Sequence, residues 1–121
     1  FQFIGVFQEG QAVAARGADK VGVIDQQGKW VVPPSHHGAT RVNDKLWLVS
    51  QAGWKGEDYQ RPQAVINTSG RALTTFQSGM DVSRTDDGTY LAYSQKQRWM
   101  IAPDASDALD VHDASYTPMG N

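Results

Sequence analysis

Two neighbouring histidines, His36 and His37, are the residues of this chain whose type most readily suggests chemistry. Histidine titrates near neutral pH and can shuttle a proton or bind a metal ion, so the pair could serve a small hydrolase together with an aspartate. Adjacent residues on an extended chain point to opposite faces, however, so the two imidazoles cannot easily act on one ion. We therefore predict that the segment PPSHHG, residues 33–38, is a solvated connecting loop and not a functional site.

A run of carboxylates lies towards the C-terminus, with one histidine among them: Asp104, Asp107, Asp110, His112 and Asp113. A spacing of three residues would align the carboxylates on one side of a helix, or some of them could gather around Ca²⁺. The run lacks the glycine and the terminal glutamate of an EF-hand loop, and like charges at this spacing disfavour a helix. The prediction is an acidic, flexible segment over 104–121, with the alternative that a further structural unit begins near residue 111. We predict no metal site and no cofactor.

An aromatic-rich stretch, AGWKGEDYQ at 52–60, is the third candidate. Trp54, Lys55 and Tyr59 would be displayed on a flexible loop, where aromatic side chains commonly contact a protein, a peptide or a sugar ring. The alternative is that Trp54 folds back over exposed core. These three residues are the predicted ligand-binding positions.

Motifs of the common catalytic classes are absent from the sequence. It contains no G-x-S-x-G nucleophile elbow and no glycine-rich phosphate loop ahead of a helix. Nothing nominates a pair of carboxylates for glycoside hydrolysis. The prediction is that the chain is not an enzyme and has no catalytic residues.

Composition limits the classes of partner but decides no compartment. With a formal net charge of −2 over 121 residues, the chain has no electrostatic attraction for nucleic acid or anionic lipid. It has no cysteine, hence no disulfide or thiolate chemistry, and no apolar run of the roughly 20 residues that a membrane span needs. Hydrophobic residues make up 40% of the chain, enough for one folded domain. Since position 1 is Phe1 and not methionine, the chain is either a processed mature protein or a piece cut from a longer one. We expect the cut piece, because the apolar alternation of Phe1 and Phe3 begins with no lead-in.

The elements that must position these residues are short strands joined by tight turns. Segments rich in valine, isoleucine and aromatic residues alternate in pattern; in KLWLV, Leu46 and Leu48 share one face while Trp47 and Val49 share the other. The turns DQQG (25–28) and NTSG (67–70) each offer a side-chain acceptor first and a glycine fourth. SQKQ at 94–97 has glutamine at the glycine position, so its turn is degenerate or of another type, and TDDG at 85–88 offers a further hairpin. The chain is predicted to be all-β, built from antiparallel hairpins and meanders.

The same pattern recurs along the chain at a period of about 35 residues. FQEGQ at 7–11, VNDKL at 42–46 and FQSGM at 76–80 start three units, separated by 42 − 7 = 35 and 76 − 42 = 34 residues. A fixed period of this size is typical of stacked or laterally paired β units. The predicted units are 7–41, 42–75 and 76–103, within a repeat domain at 1–103; the middle unit contains about seven extra residues, which we place in the 52–60 stretch.

The first unit resembles the bacterial WG (also called KWG) repeat family. It contains F-x-E-G-x-A, then G-x-I-D-x-x-G-K, then a closing V-x-P-P. The residues that carry the resemblance are Phe7, Glu9, Gly10, Ala12, Gly22, Ile24, Asp25, Gly28, Lys29, Val31, Pro33 and Pro34. Val21 stands where the family has its name-giving aromatic residue, and the later units keep few of these side chains. The resemblance implies all-β repeats, often appended to other domains, with a binding role and no recognised catalytic residues.

The functional prediction is a non-catalytic interaction module within a larger bacterial protein, with a protein as the expected partner class and a carbohydrate or peptide as alternatives. A small hydrolase and a purely structural spacer repeat are the competing interpretations. An envelope, periplasmic or secreted location is favoured slightly over the cytoplasm.

Overall fold

The computed structural model describes residues 2–111, and these form eleven strands and one short 3-10 helix. The first sheet consists of β1 (Phe3–Ile4), β2 (Gln11–Ala15), β3 (Val21–Asp25) and β4 (Trp30–His36). The second consists of β5 (Gly38–Arg41), β6 (Leu46–Ser50) and β7 (Gln63–Asn67), with the 3-10 helix Asp58–Gln60 between β6 and β7. The third consists of β8 (Asp81–Arg84), β9 (Tyr90–Tyr93), β10 (Arg98–Ile101) and β11 (Ala108–Val111).

Within each sheet, strands that are consecutive in sequence pair antiparallel, so each sheet is a simple meander. The all-β, antiparallel prediction is therefore confirmed. The described part of the chain contains no helix long and apolar enough to cross a membrane.

Two turns predicted from sequence have the same hydrogen bonds. In the first, Asp25 Oδ1 accepts from the Gln27 and Lys29 amides at 2.9 Å. In the second, Asn67 Oδ1 accepts from the Ser69 and Arg71 amides at 3.0 Å. The fourth residue of each turn is a glycine with φ near +80°, a conformation that other residues adopt only at a cost. Local side-chain chemistry therefore sets both hairpins.

The third sheet uses the two remaining predicted turns differently. Thr85 to Thr89 has the same backbone bonding as the first two hairpins, with Gly88 at φ +90°. Ser94 to Gln97 closes with the Ser94 amide bonded to the Gln97 carbonyl, and Gln97 does not adopt positive φ. The turn at 94–97 is thus of another type, which is one of the two alternatives that the sequence left open.

The second sheet buries both of its faces. Leu46 and Val65 lie in a core cluster with residues of the third sheet, including Trp99. Trp47 and Val49 lie in a separate cluster with Val23 of the first sheet, and partly buried side chains extend each cluster. The alternation predicted for 46–49 is confirmed, because successive side chains of a strand point to opposite faces.

The pairing of β1 with β2 and of β5 with β6 is displaced by a constant 35 residues. Phe3 pairs with Ala15 and Gly38 with Ser50, so that 38 − 3 = 35 and 50 − 15 = 35. This displacement equals the spacing that the sequence suggests for the first two units. The division of the whole chain into three repeats stays a prediction.

The described part of the acidic C-terminal stretch, residues 104–111, forms a turn and a strand. Asp104 accepts two hydrogen bonds from Ser106 within a turn, and Asp107 pairs with Arg71 at 3.0 Å. The alternating residues Ala108–Val111 then pair with β10 as strand β11. The expected flexible segment is therefore wrong for 104–111, because the turn closes on buried Ala105 and the strand completes the third sheet. His112 and Asp113 lie outside the described residues. So does the further unit predicted from about residue 111, except for Val111 itself.

Candidate functional site

The connection between β6 and β7, residues 51–62, is braced to the sheets at its base; we call it the 51–62 loop. The Gln51 amide donates to the Pro62 carbonyl at 2.9 Å, which closes the loop like a strand pair. Arg61 Nη1 donates to the Gln51 carbonyl at 3.0 Å, and Arg61 Nη2 pairs with Asp58 Oδ1 at 2.7 Å. The Arg61 side chain is 13% exposed whereas Asp58 is 90% exposed, so the bond to the Gln51 carbonyl is the better shielded of the two. Hydrogen bonds therefore hold the two ends of the loop together, and the flexibility expected from the sequence stays a prediction.

Trp54 lies back over its own loop and is half-buried. Its Nε1 donates to the Glu57 carbonyl at 2.9 Å. A Cβ built at Gly56 would lie 2.5 Å from Cζ2 of the indole, so the ring packs directly on the glycine backbone. Trp54 is not packed on the core clusters. Its contacts stiffen the loop, and only part of the ring is available to a partner.

Tyr59 and Lys55 are the exposed members of the predicted site. Tyr59 sits in the 3-10 helix and is 82% exposed, the most exposed tyrosine that the structure describes. Lys55 is exposed as well. A large aromatic ring with a polar hydroxyl, held in water on a fixed turn, loses little conformational entropy on binding a partner.

An open pocket of about 460 Å³ lies beside Tyr59. Its lining is mostly polar and combines the β6–β7 connection with neighbouring segments: His37, Ser50, Asp58, Tyr59, Arg61, Gln63 and Gly79. Of the three predicted ligand-binding residues, only Tyr59 lines this pocket; Trp54 and Lys55 lie elsewhere on the 51–62 loop. Both signs of charge are present, which suits a polar segment such as a peptide backbone with its side chains.

Asp19 connects this pocket to the first sheet and was not predicted as a site residue. Its Oδ1 lies 2.9 Å from Nδ1 of His37, and its Oδ2 accepts from the Gly53 amide at 3.1 Å. The hydrogen bond to His37, followed by the one from Gly53, holds the pKa of Asp19 below its usual value. The residue has φ +57°, which aspartate tolerates better than most residues do. The only sequence signal was the turn composition of GADK at 17–20.

The two candidate histidines do not form a common site. His36 ends strand β4, is 8% exposed and stacks on Phe76 with ring centroids 6.4 Å apart, whereas the His37 side chain is 46% exposed and lines the pocket. Burial lowers the pKa of His36, since the charged form loses hydration. The expectation that adjacent imidazoles diverge is confirmed. The prediction of a solvated loop is wrong for His36, because β4 continues through the double proline and inserts the ring against Phe76.

The C-terminal carboxylates also have separate partners. Asp110 accepts from Gln97 Nε2 at 3.1 Å, while Asp104 and Asp107 bond to Ser106 and Arg71 respectively. Within residues 2–111, no three acidic or histidine side chains converge as metal ligands would. These aspartates serve turns and strand edges.

Comparison of the chain with protein-family models, with curated proteins and with solved structures finds no match.

Proposed function

We propose that this chain is a non-catalytic module, part of a larger bacterial protein of the WG-repeat type, that binds another protein through the 51–62 loop. The observation that carries the proposal is Tyr59: an aromatic ring 82% exposed on a turn that is braced beneath by Arg61. Exposed tyrosines on rigid supports are frequent anchors of protein interfaces.

The bracing contacts support binding because they reduce its entropic cost. Gly53, Gln51 and Arg61 each bond to a group outside or at the base of the loop, so the loop does not have to be ordered when a partner arrives. Lys55 adds a positive charge to the edge of the proposed interface. Charges at such an edge mainly affect the association rate and its salt dependence. A chain of net charge −2 has no general attraction for nucleic acid, so a protein partner fits better.

The test begins with capture on the immobilised chain from a bacterial extract, with each captured protein quantified by mass spectrometry. The same capture is repeated with two variants, Tyr59→Ala and Phe3→Ala. Phe3→Ala is the matched control, because Phe3 is an aromatic residue outside the loop that is 56% exposed. A partner should be enriched on the unchanged chain and on Phe3→Ala, and lost on Tyr59→Ala. Calorimetry with the purified partner should then show that Tyr59→Ala weakens binding by at least about tenfold.

Stability measurements separate binding from folding. Since Tyr59 is exposed, its replacement should leave the thermal midpoint nearly unchanged, while Trp54→Ala should weaken binding and also raise hydrogen exchange in the loop. If Tyr59→Ala and the unchanged chain bind the partner with equal affinity, the proposal is refuted. Binding of oligosaccharides in place of any protein would reassign the site to the carbohydrate alternative.

A hydrolase is the second candidate, and the Asp19–His37 pair is the observation that favours it. An aspartate ionised beside an imidazole at 2.9 Å can orient and stabilise that imidazole as a general base. Ser50 lines the same pocket, but its Oγ donates to the Gly38 carbonyl at 3.4 Å, so no nucleophile is bonded to His37 among the described residues. Hydrolysis of simple esters that disappears in His37→Gln would support this candidate, and equal rates for both proteins would exclude it.

A further inference from the structure

Beside Tyr59, the charge that faces solvent is negative. Asp58 precedes Tyr59 in the 3-10 helix, and both side chains line the same open pocket. The Asp58 side chain is 90% exposed, whereas the Arg61 side chain in the same lining is 13% exposed. Two Arg61 donors are already bonded, one to the Gln51 carbonyl and one to Asp58 Oδ1. A group that approaches the pocket from water therefore meets the Asp58 carboxylate before the Arg61 guanidinium.

The Asp58 carboxylate retains acceptor capacity for a partner. Two carboxylate oxygens together offer about four acceptor sites. Among the contacts of residues 2–111, the one hydrogen bond to the Asp58 side chain reaches Oδ1 from Arg61 Nη2, at 2.7 Å, and Oδ2 accepts none. Glu57, which precedes Asp58, is exposed and adds a second negative charge. A cationic donor can thus bind Asp58 while Arg61 keeps its own bond.

The Tyr59 ring favours the same kind of group. It is 82% exposed, and the face of an aromatic ring attracts a cation electrostatically. A guanidinium suits this pair of residues best, because its plane stacks on an aromatic ring and its edge donates two parallel bonds to a carboxylate. An acidic side chain in the same position would be repelled by Asp58, and an aliphatic one would desolvate the carboxylate without pairing it.

We propose that the partner segment bound at the 51–62 loop presents a basic side chain, arginine in preference to lysine, to Tyr59 and Asp58. This inference rests on the binding role proposed above and adds to it the charge of the residue that makes the contact. Lys55, the exposed positive residue of the loop, does not line the pocket, so it lies away from this contact.

Selection from a displayed library of random peptides, about seven residues long, tests the preference on the full chain. The selection is run on the unchanged chain and on Tyr59→Ala, and the peptides that bind the first but not the second define the ligands of the loop. Arginine should be enriched in these peptides by at least about twofold over the unselected library, with lysine enriched less and acidic residues depleted. Selection on Asp58→Lys should reverse the preference, towards aspartate and glutamate.

Calorimetry with one selected peptide then isolates the ion pair. Asp58→Asn keeps an oxygen for Arg61 but removes the charge, and should weaken binding about two- to fivefold. Replacing the peptide's arginine by glutamine should weaken it as well, and the two changes together should cost less than the product of the separate losses. Asp86→Asn is the matched control, since Asp86 is an exposed aspartate in the β8–β9 turn, and it should leave the affinity unchanged. Thermal midpoints should show all variants folded.

Failure of this inference is distinguishable from failure of the proposed function. Tyr59-dependent peptides without an excess of basic residues, or with an affinity that Asp58→Asn leaves unchanged, overturn the inference while the 51–62 loop remains a binding site. A loss of affinity in Asp86→Asn as large as that in Asp58→Asn also overturns it. A selection that yields no Tyr59-dependent peptide overturns it too, and the capture experiment alone then decides the proposed function.

Discussion

Asn67 offers a quantitative test of how the second and third sheets are held together. Its Oδ1 accepts from two turn amides at 3.0 Å, and its Nδ2 donates to the Ala105 carbonyl at 2.8 Å in the turn between β10 and β11. Both Asn67 and Ala105 are buried, at 6% and 3% exposure. Asp25 makes the same two turn bonds in the first sheet, but its turn is exposed. Among its described contacts there is no side-chain bond to a distant carbonyl like the one from Asn67 to Ala105. The two residues therefore form a natural comparison.

The expected cost of each alanine substitution follows from these bonds. Asp25→Ala removes two solvent-accessible side-chain bonds to turn amides, comparable to the loss of a helix cap, and should reduce the free energy of unfolding by about 1 kcal/mol. Asn67→Ala removes the same two and also leaves the buried Ala105 carbonyl without its donor, a further penalty of about 1–3 kcal/mol. The total for Asn67→Ala is about 2–4 kcal/mol.

Urea unfolding followed by tryptophan fluorescence measures both values, and thermal unfolding checks them. At about 4 °C per kcal/mol, Asn67→Ala should lower the thermal midpoint by about 8–16 °C and Asp25→Ala by about 4 °C. Equal losses for the two variants would refute the reasoning, because the difference rests entirely on the bond to Ala105. Unchanged slopes of free energy against urea are needed for the comparison to be valid.

Three further predictions follow from single residues. Gly22→Ala should destabilise the fold by about 3 kcal/mol or more because the new Cβ overlaps backbone atoms of β4, whereas Gly17→Ala, with nothing nearer than 3.9 Å, should cost less than about 1 kcal/mol in the same urea titration. Burial lowers the pKa of His36 below its ordinary 6.5, so the unfolded state takes up the proton first and stability should fall as the pH drops from about 7 to 5; His36→Gln should flatten that slope. Asp19→Gly, which keeps positive φ accessible, should accelerate amide exchange at Gly53 in hydrogen-exchange mass spectrometry, and unchanged protection would show that this contact does not brace the 51–62 loop.

The features that the sequence predicted correctly are those set by neighbouring residues. The turns at Asp25 and Asn67 form because a side-chain oxygen bonds amides two and four residues ahead, and a glycine completes each reversal. The alternation of Leu46 and Trp47 assigned the faces of β6 because side chains alternate along any strand.

The features that sequence reasoning missed depend on contacts between distant segments. Asp19 reaches a histidine 18 residues away and a glycine amide 34 residues away, and neither separation has a local period that could indicate it. His36 looked like a loop residue because its neighbours are prolines and histidines, yet it is buried against Phe76, 40 residues further on.

Sequence alone therefore determined that this protein is an antiparallel β chain, and it specified the hairpin turns at Asp25 and Asn67 and which side chains of β6 share a face. Only the tertiary structure decided that the 51–62 loop is hydrogen-bonded to Asp19 and closed at its base by Arg61, and that Tyr59 and not Trp54 is its exposed aromatic residue. The physical reason is range: hydrogen bonds within a turn and alternation within a strand act over a few residues. Burial and bracing are decided by whichever distant segments the sheets bring into contact.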